Sequence, residues 1–210
     1  MESAREVGGD LYDFFRTEDG KLCFLAGLFM ARAKSLICIA ADLMRSPNSA
    51  SASPADIVTR VNRELCQDNS DMMFVTLFFA MFTPVSGEVE FCNAGHNAPY
   101  RLGKAVETVE GAKGIIRGVR PDAVYASGQL CLAPGGGIYV FTDGVTEANN
   151  FAEEMFGETR LESVLRAAGG SRSAEIVKSV AATVRGFVGN AVPFDDITML
   201  AIHRLDRVSL

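Results

Sequence analysis

The sequence predicts an α+β fold, an αββα sandwich of two mainly antiparallel sheets flanked by helix pairs. Two observations predict it. Strand candidates bounded by turns with Gly and Pro fill the middle of the chain, and helix candidates come in pairs at two separate places. Each helix pair can then cover the outer face of one sheet. We expect a single domain over residues 1–210, because 48% of the residues are hydrophobic and the length suits one core.

The individual elements follow from apolar periodicity and turn chemistry. Ser53 is the expected N-cap of a helix whose first residue is Pro54. The predicted helices cover residues 28–44, 54–67, 158–168 and 174–188. The predicted strands cover residues 11–15, 73–82, 88–92, 98–102, 125–131, 137–141 and 197–202.

Composition excludes several classes of protein. The formal net charge of −6 argues against a protein that neutralises phosphate backbones, so we expect no nucleic-acid partner. Every apolar stretch is broken well before the roughly 18 residues of a membrane span, and the polar N-terminus lacks a signal sequence. The five cysteines are widely spaced and never form a Cys-x-x-Cys pair. This pattern indicates buried thiols in a reducing, cytoplasmic protein rather than disulfides or a zinc site.

Three aspartates stand at strand ends. Asp143 follows the strand at 137–141, and Asp196 precedes the last strand. If those two strands pair antiparallel, the exit of one adjoins the entrance of the other, and both carboxylates share one rim. Asp10 also stands at a strand entrance and can join them.

Clustered carboxylates repel one another unless they are protonated or bridged by a cation. Hard oxygen ligands of this kind suit Mg²⁺ or Mn²⁺, and two such ions can hold a water for attack on a phosphoryl group. An Asp-Gly pair after a single strand is usually only a turn. The three aspartates together favour a metal site, with Gly9, Gly144 and Asp195 as supporting residues.

The two histidines are given structural roles. His96 lies in an Asn- and Gly-containing segment and is expected to be a turn residue that bonds the backbone. His203 is expected to be an exposed residue near the end of the last strand.

The chain resembles the SpoIIE-like branch of the metal-dependent (PPM) protein phosphatases, to which RsbU-type phosphatases belong. The resemblance runs from Val7 to about Arg204. It rests on an ordered set of segments, since Gly-Gly-Asp or Asp-Gly alone would be weak. The segments are VGGDLYDF at 7–14, MFVTL at 73–77, NAGHN at 93–97, YVFTDGVTEA at 139–148 and DDIT at 195–198.

The resemblance implies a two-metal Mn²⁺ or Mg²⁺ centre at one edge of the sandwich. It implies that phosphoserine or phosphothreonine is hydrolysed by a metal-activated water without a phosphoenzyme. By position, Asp10 would serve the first metal, and Asp143 and Asp196 the second.

The resemblance also implies a regulatory setting. The substrate would be a small phosphorylated protein of the STAS-type anti-sigma-factor antagonist class, so that the chain would act in bacterial stress response and sigma-factor control. Relatives commonly carry an N-terminal regulatory region, so we expect the domain to be part of a longer protein. A homodimer is compatible with this setting.

One acidic motif of the family is missing. The family carries an Asp-x-x-Gly-basic-Gly loop between the second strand and the first helix, and its Asp bridges both metals. A hairpin turn at residues 18–20 places Gly27 roughly opposite Asp10, so the missing carboxylate should follow Gly27. The sequence instead continues with Leu28, and no Asp or Glu occurs between Gly20 and Asp42.

Two explanations compete for this gap. Either the natural chain has a loop between Gly27 and Leu28 that this sequence omits, or the deletion is real and weakens the metal centre. We expect the first, because a strand joined directly to a helix would lack the short connection that such joints need.

Three functions remain open at this point. The first is a metal-dependent protein serine/threonine phosphatase. The second is a pseudophosphatase that acts as a binding module, which the absent bridging acid favours. The third is a metal hydrolase of a small phosphorylated metabolite, for which the sequence offers no phosphate-gripping Gly-rich loop or Arg cluster.

Overall fold

A computed structural model describes residues 10–17, 19–28, 31–44, 52–67, 76–111, 113–114, 120–191 and 195–205. The strands are β1 (Asp10–Arg16), β2 (Leu22–Leu28), β3 (Thr76–Phe82), β4 (Glu88–Ala94), β5 (Tyr100–Leu102), β6 (Val106–Thr108), β7 (Lys113–Gly114), β8 (Gly128–Cys131), β9 (Gly137–Phe141) and β10 (Met199–His203). The helices are α1 (Ala31–Met44), α2 (Pro54–Cys66), α3 (Asp143–Thr146), α4 (Gly157–Ala167) and α5 (Ser173–Val188).

The chain divides into two compact units, each with its own sheet. The first unit comprises residues 11–96 and 110–131. Its sheet has the order β1-β2-β3-β4-β7, and β8 also pairs with β4. The pairs β2–β3, β3–β4 and β4–β8 are antiparallel, whereas the short β7 runs parallel to β4.

Helices α1 and α2 pack on one face of this first sheet. Successive side chains of a strand point to opposite faces of the sheet. On the face that the helices cover, Leu25 of β2 and Phe79 of β3 form one apolar cluster with the helix residues Ile37 and Val58. The opposite face carries Phe24, Phe78 and Phe91, which are also buried. The ring centroids of Phe78 and Phe91 lie 5.5 Å apart in a stacked arrangement. Both faces of the sheet are therefore apolar.

Helix α2 begins with the predicted cap. The N–H of Asp56 donates to Ser53 Oγ at 3.3 Å, and the N–H of Ser53 donates to Asp56 Oδ2 at 2.9 Å. This is a capping box, with Pro54 in the first turn as predicted. The Ser53 hydroxyl also donates to Asp56 Oδ2 at 2.7 Å, and this bond, together with the one from the Ser53 N–H, lowers the pKa of Asp56.

The second unit comprises Asp10 and the described residues of 97–109 and 132–205. Its antiparallel sheet has the order β10-β9-β5-β6. Tyr139 and Phe141 face a cluster formed with Leu161 of α4 and Val180 of α5. The intervening β9 residues are buried as well, so β9 has two apolar faces. The predicted combination of antiparallel sheets with helix pairs is thus present.

The structure corrects several predicted boundaries. The helix expected from Leu28 begins instead at Ala31, because Leu28 still pairs with Thr76 as the last residue of β2. Ser173 is the first residue of α5, and Arg172 takes the N-cap position. The short elements β6, β7 and α3 were not predicted, because segments of two to four residues are too short to show the apolar periodicity of a strand or a helix.

None of the described helices is long and apolar enough to cross a membrane.

Gly137 allows β9 and β10 to pair closely, because a Cβ there would lie 2.6 Å from the carbonyl oxygen of Ile202 and 3.0 Å from the His203 ring. We expect Gly137→Ala to lower the free energy of unfolding by about 1–3 kcal/mol through overpacking. Urea denaturation measures this change. Gly103→Ala is the matched control, since its Cβ would meet only one atom, at 4.0 Å. Equal stability of the two variants would contradict the prediction.

Candidate functional site

The pairing of β9 with β10 brings two of the predicted aspartates to one edge. Phe141 is the register partner of Met199, and the N–H of Thr142 donates to the carbonyl of Thr198 at 3.1 Å. The antiparallel pairing expected from the sequence is therefore confirmed. Asp143 immediately follows this ladder and Asp196 shortly precedes it, so both belong to the same end of the sheet.

Gly144 shows how close the two segments approach. A Cβ built on Gly144 would lie 2.0 Å from the carbonyl oxygen of Asp196 and 3.6 Å from the carbonyl carbon of Asp195. No side chain fits at the first distance. Gly144 is therefore a contact residue that lets the Asp143 turn lie directly against the backbone of Asp195 and Asp196. The supporting role in a metal site that the sequence suggested for Gly144 stays a prediction.

Thr142 ties the two segments together. Its hydroxyl accepts a hydrogen bond from the N–H of Thr198 at 3.1 Å and lies 3.5 Å from the carbonyl oxygen of Asp196. Thr142 is the N-cap of α3 by backbone conformation, but its side chain makes no cap bond. Its hydroxyl instead accepts the hydrogen bond from Thr198 in the segment before β10. Sequence reasoning did not single out this residue, although a Thr before Asp-Gly was a visible signal.

The carboxylates are held by local hydrogen bonds. Asp143 Oδ1 accepts from the N–H of Gly144 at 3.1 Å, and Asp195 Oδ1 accepts from the N–H of Asp196 at 2.8 Å. The side chain of Asp143 is exposed, whereas Asp196 is only 5% exposed. The edge thus carries one accessible and one buried carboxylate, with Asp195 exposed beside them.

The donor chemistry of this edge fits a divalent cation. Asp143, Asp195 and Asp196 offer hard oxygen atoms, which Mg²⁺ and Mn²⁺ prefer. The hydroxyl of Thr198 is buried there and has no hydrogen-bond partner among the described residues. Within the described part of the chain, no group of three or more His, Cys, Asp or Glu residues is arranged to hold a metal. The metal-ligand roles of these aspartates stay predictions.

The remaining predicted site residues lie at the start of the chain. Asp10 is the first residue of β1, as expected for a residue at a strand entrance. Its side chain and the whole of Gly9 lie outside the described residues. The structure thus brings together Asp143, Gly144, Asp195 and Asp196, and the ligand role of Asp10 stays a prediction.

Strand β2 passes without a break through the position where the bridging acid was expected. Gly27 pairs with Leu77, and Leu28 pairs with Thr76. Helix α1 begins at Ala31, so residues 29 and 30 lie between the two elements. The strand is not joined directly to the helix. The expectation of a loop omitted after Gly27 stays a prediction.

His96 has the turn role that the sequence predicted. The N–H of His96 donates to Asn93 Oδ1 at 2.9 Å, and Asn93 Nδ2 donates to the carbonyl of His96 at 3.0 Å. The side chain of Asn93 thus closes a turn around the backbone of His96. The ring Nδ1 lies 3.5 Å from the hydroxyl of Thr76.

His203 is not the exposed residue that was expected. It is half-buried, and its Nδ1 lies 2.9 Å from the hydroxyl of Ser173 at the start of α5. The ring also packs over Gly137, where there is no side chain to hold it away from the sheet. Burial lowers the pKa of His203. The imidazole therefore links β10 to α5 in its neutral form.

The fold defines the class of protein. The SiaA-PP2C domain of Pseudomonas aeruginosa has a TM-score of 0.79 to this chain at 22% sequence identity, covering 96% of this chain and 82% of that one. The chain has the fold of PP2C phosphatase domains, an α+β sandwich. The predicted fold class is confirmed.

The family follows from the sequence match. The family described as Stage II sporulation protein E (SpoIIE) matches residues 26–205, and the chain belongs to that family. Protein IcfG of Synechocystis is 29% identical over 235 residues, covering 97% of this chain. Phosphoserine phosphatase RsbU of Bacillus subtilis is 24% identical over 208 residues, covering 96% of this chain. The resemblance to SpoIIE-like PPM phosphatases is confirmed, and a phosphatase function in general is supported.

These relatives are longer than the chain. It spans 37% of the length of IcfG and 61% of the length of RsbU. The match to IcfG extends over 235 residues, more than the 210 residues of the chain, so IcfG contains segments that have no counterpart here.

Gly144→Ala tests the contact at the aspartate edge. Because a Cβ at this position would overlap the Asp196 carbonyl oxygen, we expect the backbone at 195–198 to be displaced and its hydrogen bonds to Thr142 to weaken. Amide hydrogen exchange at Thr198 should become faster. Gly186→Ala is the control, since its Cβ would meet no atom within 4 Å in the helix α5. Unchanged exchange at Thr198 in Gly144→Ala would contradict the role assigned to Gly144.

The lowered pKa of His203 predicts a pH dependence of stability. The unfolded chain binds a proton at His203 more tightly than the folded chain does. The free energy of unfolding is therefore unaffected by this residue above the ordinary histidine pKa of 6.5, and it decreases as the pH falls below that value. Urea denaturation between pH 7.5 and about pH 5 should show this decrease, and His203→Gln should reduce its slope. Ser173→Ala should retain the slope, because burial rather than the hydroxyl causes the shift. An unchanged slope in His203→Gln would refute this assignment.

Proposed function

We propose that the chain is a metal-dependent protein serine/threonine phosphatase that hydrolyses phosphoserine or phosphothreonine on a small regulatory protein. The observation that carries the proposal is the contact of Gly144 with Asp196, which brings Asp143 and Asp196 to one sheet edge. Membership of the SpoIIE family supports it, as does the printed activity of the relative RsbU, a phosphoserine phosphatase.

In this proposal Asp10 would hold one Mn²⁺ or Mg²⁺ ion of a two-metal centre, and Asp143 and Asp196 would hold the other. The metal, when bound, supplies positive charge that stabilises the phosphoryl group during attack by water. The protein supplies the position of the ligands. Thr142 joins the two backbone segments, and Gly144 lets them approach. The buried Asp196 can be oriented by its surroundings, whereas the exposed Asp143 is accessible from solvent.

The proposed setting follows from the family resemblance. The substrate would be a phosphorylated STAS-type anti-sigma-factor antagonist in bacterial stress response, and the location cytoplasmic. The chain would be the single PPM domain of a longer protein with an N-terminal regulatory region, which agrees with the greater length of IcfG and RsbU. We also propose that two copies of the chain form a homodimer through which the phosphatase activity is controlled.

A second candidate function rests on a different observation. Strand β2 continues through Gly27 and Leu28 in register with β3, and no acid is present in the segment from Lys21 to Ala41. A chain without the bridging carboxylate would bind metal weakly and act as a pseudophosphatase that only binds its partner. The absence of an acid from this segment of the sequence is the observation that favours this candidate.

The first experiment removes the carboxylates. We expect Asp143→Asn and Asp196→Asn each to lower Mn²⁺-dependent hydrolysis of a phosphoserine peptide by at least about 100-fold, since even residues outside the ligand set of a metal cost about 10–100-fold. Asp122→Asn is the matched control, because Asp122 is exposed and pairs with Arg120 in the other unit. Retained activity in the first two variants would contradict the phosphatase proposal.

The second measurement separates the two candidates. Hydrolysis of p-nitrophenyl phosphate is followed with Mn²⁺, with Mg²⁺ and with EDTA, using a protein whose Gly27–Leu28 junction has been verified by mass spectrometry. Turnover that EDTA abolishes supports the phosphatase and removes the pseudophosphatase. No turnover at any metal concentration, in a protein that is folded by circular dichroism, favours the binding module.

A further inference from the structure

A cavity of about 250 Å³ adjoins the aspartate edge within the second unit. Its lining comes from three places: the turn that follows Asp143, the C-terminal end of α5, and the segment just before β10. Gly144 and Asp195 belong both to this lining and to the edge described above. A group that enters the cavity therefore lies beside the carboxylates that the proposed chemistry uses.

The walls of the cavity are apolar and its polar groups are mainly acceptors. Val184, Val188 and Ile197 provide apolar surface. Glu147 and Asp195 provide two carboxylates at the lining, and both residues are exposed. This combination suits a long aliphatic side chain with a positive end, because such side chains bury their stems and keep their charge near polar groups.

Arg185 is the only cationic side chain among the lining residues, and it already has an interaction partner. The two carboxylates therefore outnumber the cationic groups in the lining.

The volume of the cavity decides between a side chain and a free metabolite. Pockets for small molecules usually measure about 300–1,000 Å³ and enclose most of the ligand. A cavity of about 250 Å³ is smaller than this range and suits one side chain of a larger partner.

We propose that this cavity binds a lysine or arginine side chain of the phosphoprotein substrate, close to its phosphorylated residue. Glu147 and Asp195 would accept hydrogen bonds from the cationic group, and Val184 and Val188 would cover its stem. The cavity would then select substrates with a basic residue near the phosphoserine. This inference rests on the proposed phosphatase function for its place in catalysis, but binding of the side chain can be measured without turnover.

The first test measures binding alone. The full chain with labelled Val and Ile methyl groups is titrated with Nα-acetyl-arginine amide and, separately, with Nα-acetyl-citrulline amide, its neutral isostere. We expect the arginine probe to shift the methyl signals of Val184, Val188 and Ile197 at concentrations at which the citrulline probe has no effect. Equal shifts from both probes, or none from either, would overturn the inference.

The second test measures selectivity in the reaction. Phosphoserine peptides that differ only by arginine or citrulline, at one position near the phosphoserine, are compared in the presence of Mn²⁺. We expect the best arginine peptide to have a KM at least about tenfold lower, since hydrogen bonds between charged groups are worth this much. Hydrolysis of p-nitrophenyl phosphate, which has no side chain, should not depend on the cavity.

Two glutamate variants make the test specific. Glu147→Gln should remove most of the preference for arginine in both experiments. Glu153→Gln is the matched control, because Glu153 is an exposed acid of the neighbouring loop that does not line the cavity. If both variants reduce the preference equally, long-range charge explains it and the inference is wrong. If no peptide is hydrolysed but the arginine probe still binds, the phosphatase proposal fails and the cavity assignment stands.

Discussion

The close approach of Gly144 to the carbonyl oxygen of Asp196 is the constraint on which the candidate site depends. A side chain of any size at residue 144 would separate the turn after β9 from the segment before β10. The hydrogen bonds of Thr142 to Thr198 then hold the two segments in register. Together these contacts convert two residues that are 53 positions apart in the sequence into neighbours at one sheet edge.

The rest of the second unit keeps this edge in place. Tyr139 and Phe141 pack against α4 and α5, so β9 is anchored on the helix side. At the other end of β10, His203 lies over Gly137 and beside Ser173. The ladder between β9 and β10 is therefore fixed at both ends, and the aspartates stand where it stops. A strand end supports a site well, because the side chains project from a rigid ladder while the next residues are free to turn.

Much of this arrangement could be predicted because it follows from local rules. Ser53 and Pro54 mark a helix start through capping and backbone geometry, and the structure has that cap. The shared rim of Asp143 and Asp196 followed from one assumption about antiparallel pairing. The start of α1 was misplaced because Leu28 suits a strand as well as a helix, and only its pairing with Thr76 decides. The environment of His203 depends on Ser173, 30 residues away, which no local pattern indicates. The cavity beside the edge escaped prediction for the same reason.

The missing bridging acid bears on how this edge can work. In a centre with a full set of ligands, several carboxylates share the charge of the cations, and the loss of one weakens all the others. A centre without that acid has one carboxylate fewer to share the charge of the cations. Asp195 is exposed and adjoins Asp196 in the chain, so it is a further acid that a cation at this edge would meet. If the phosphatase is active without the bridging loop, Asp195 should therefore matter more in this chain than a neighbouring acid ordinarily does. An Asp195→Asn variant would then raise the Mn²⁺ concentration needed for half-maximal activity, whereas a purely structural Asp195 would leave that concentration unchanged.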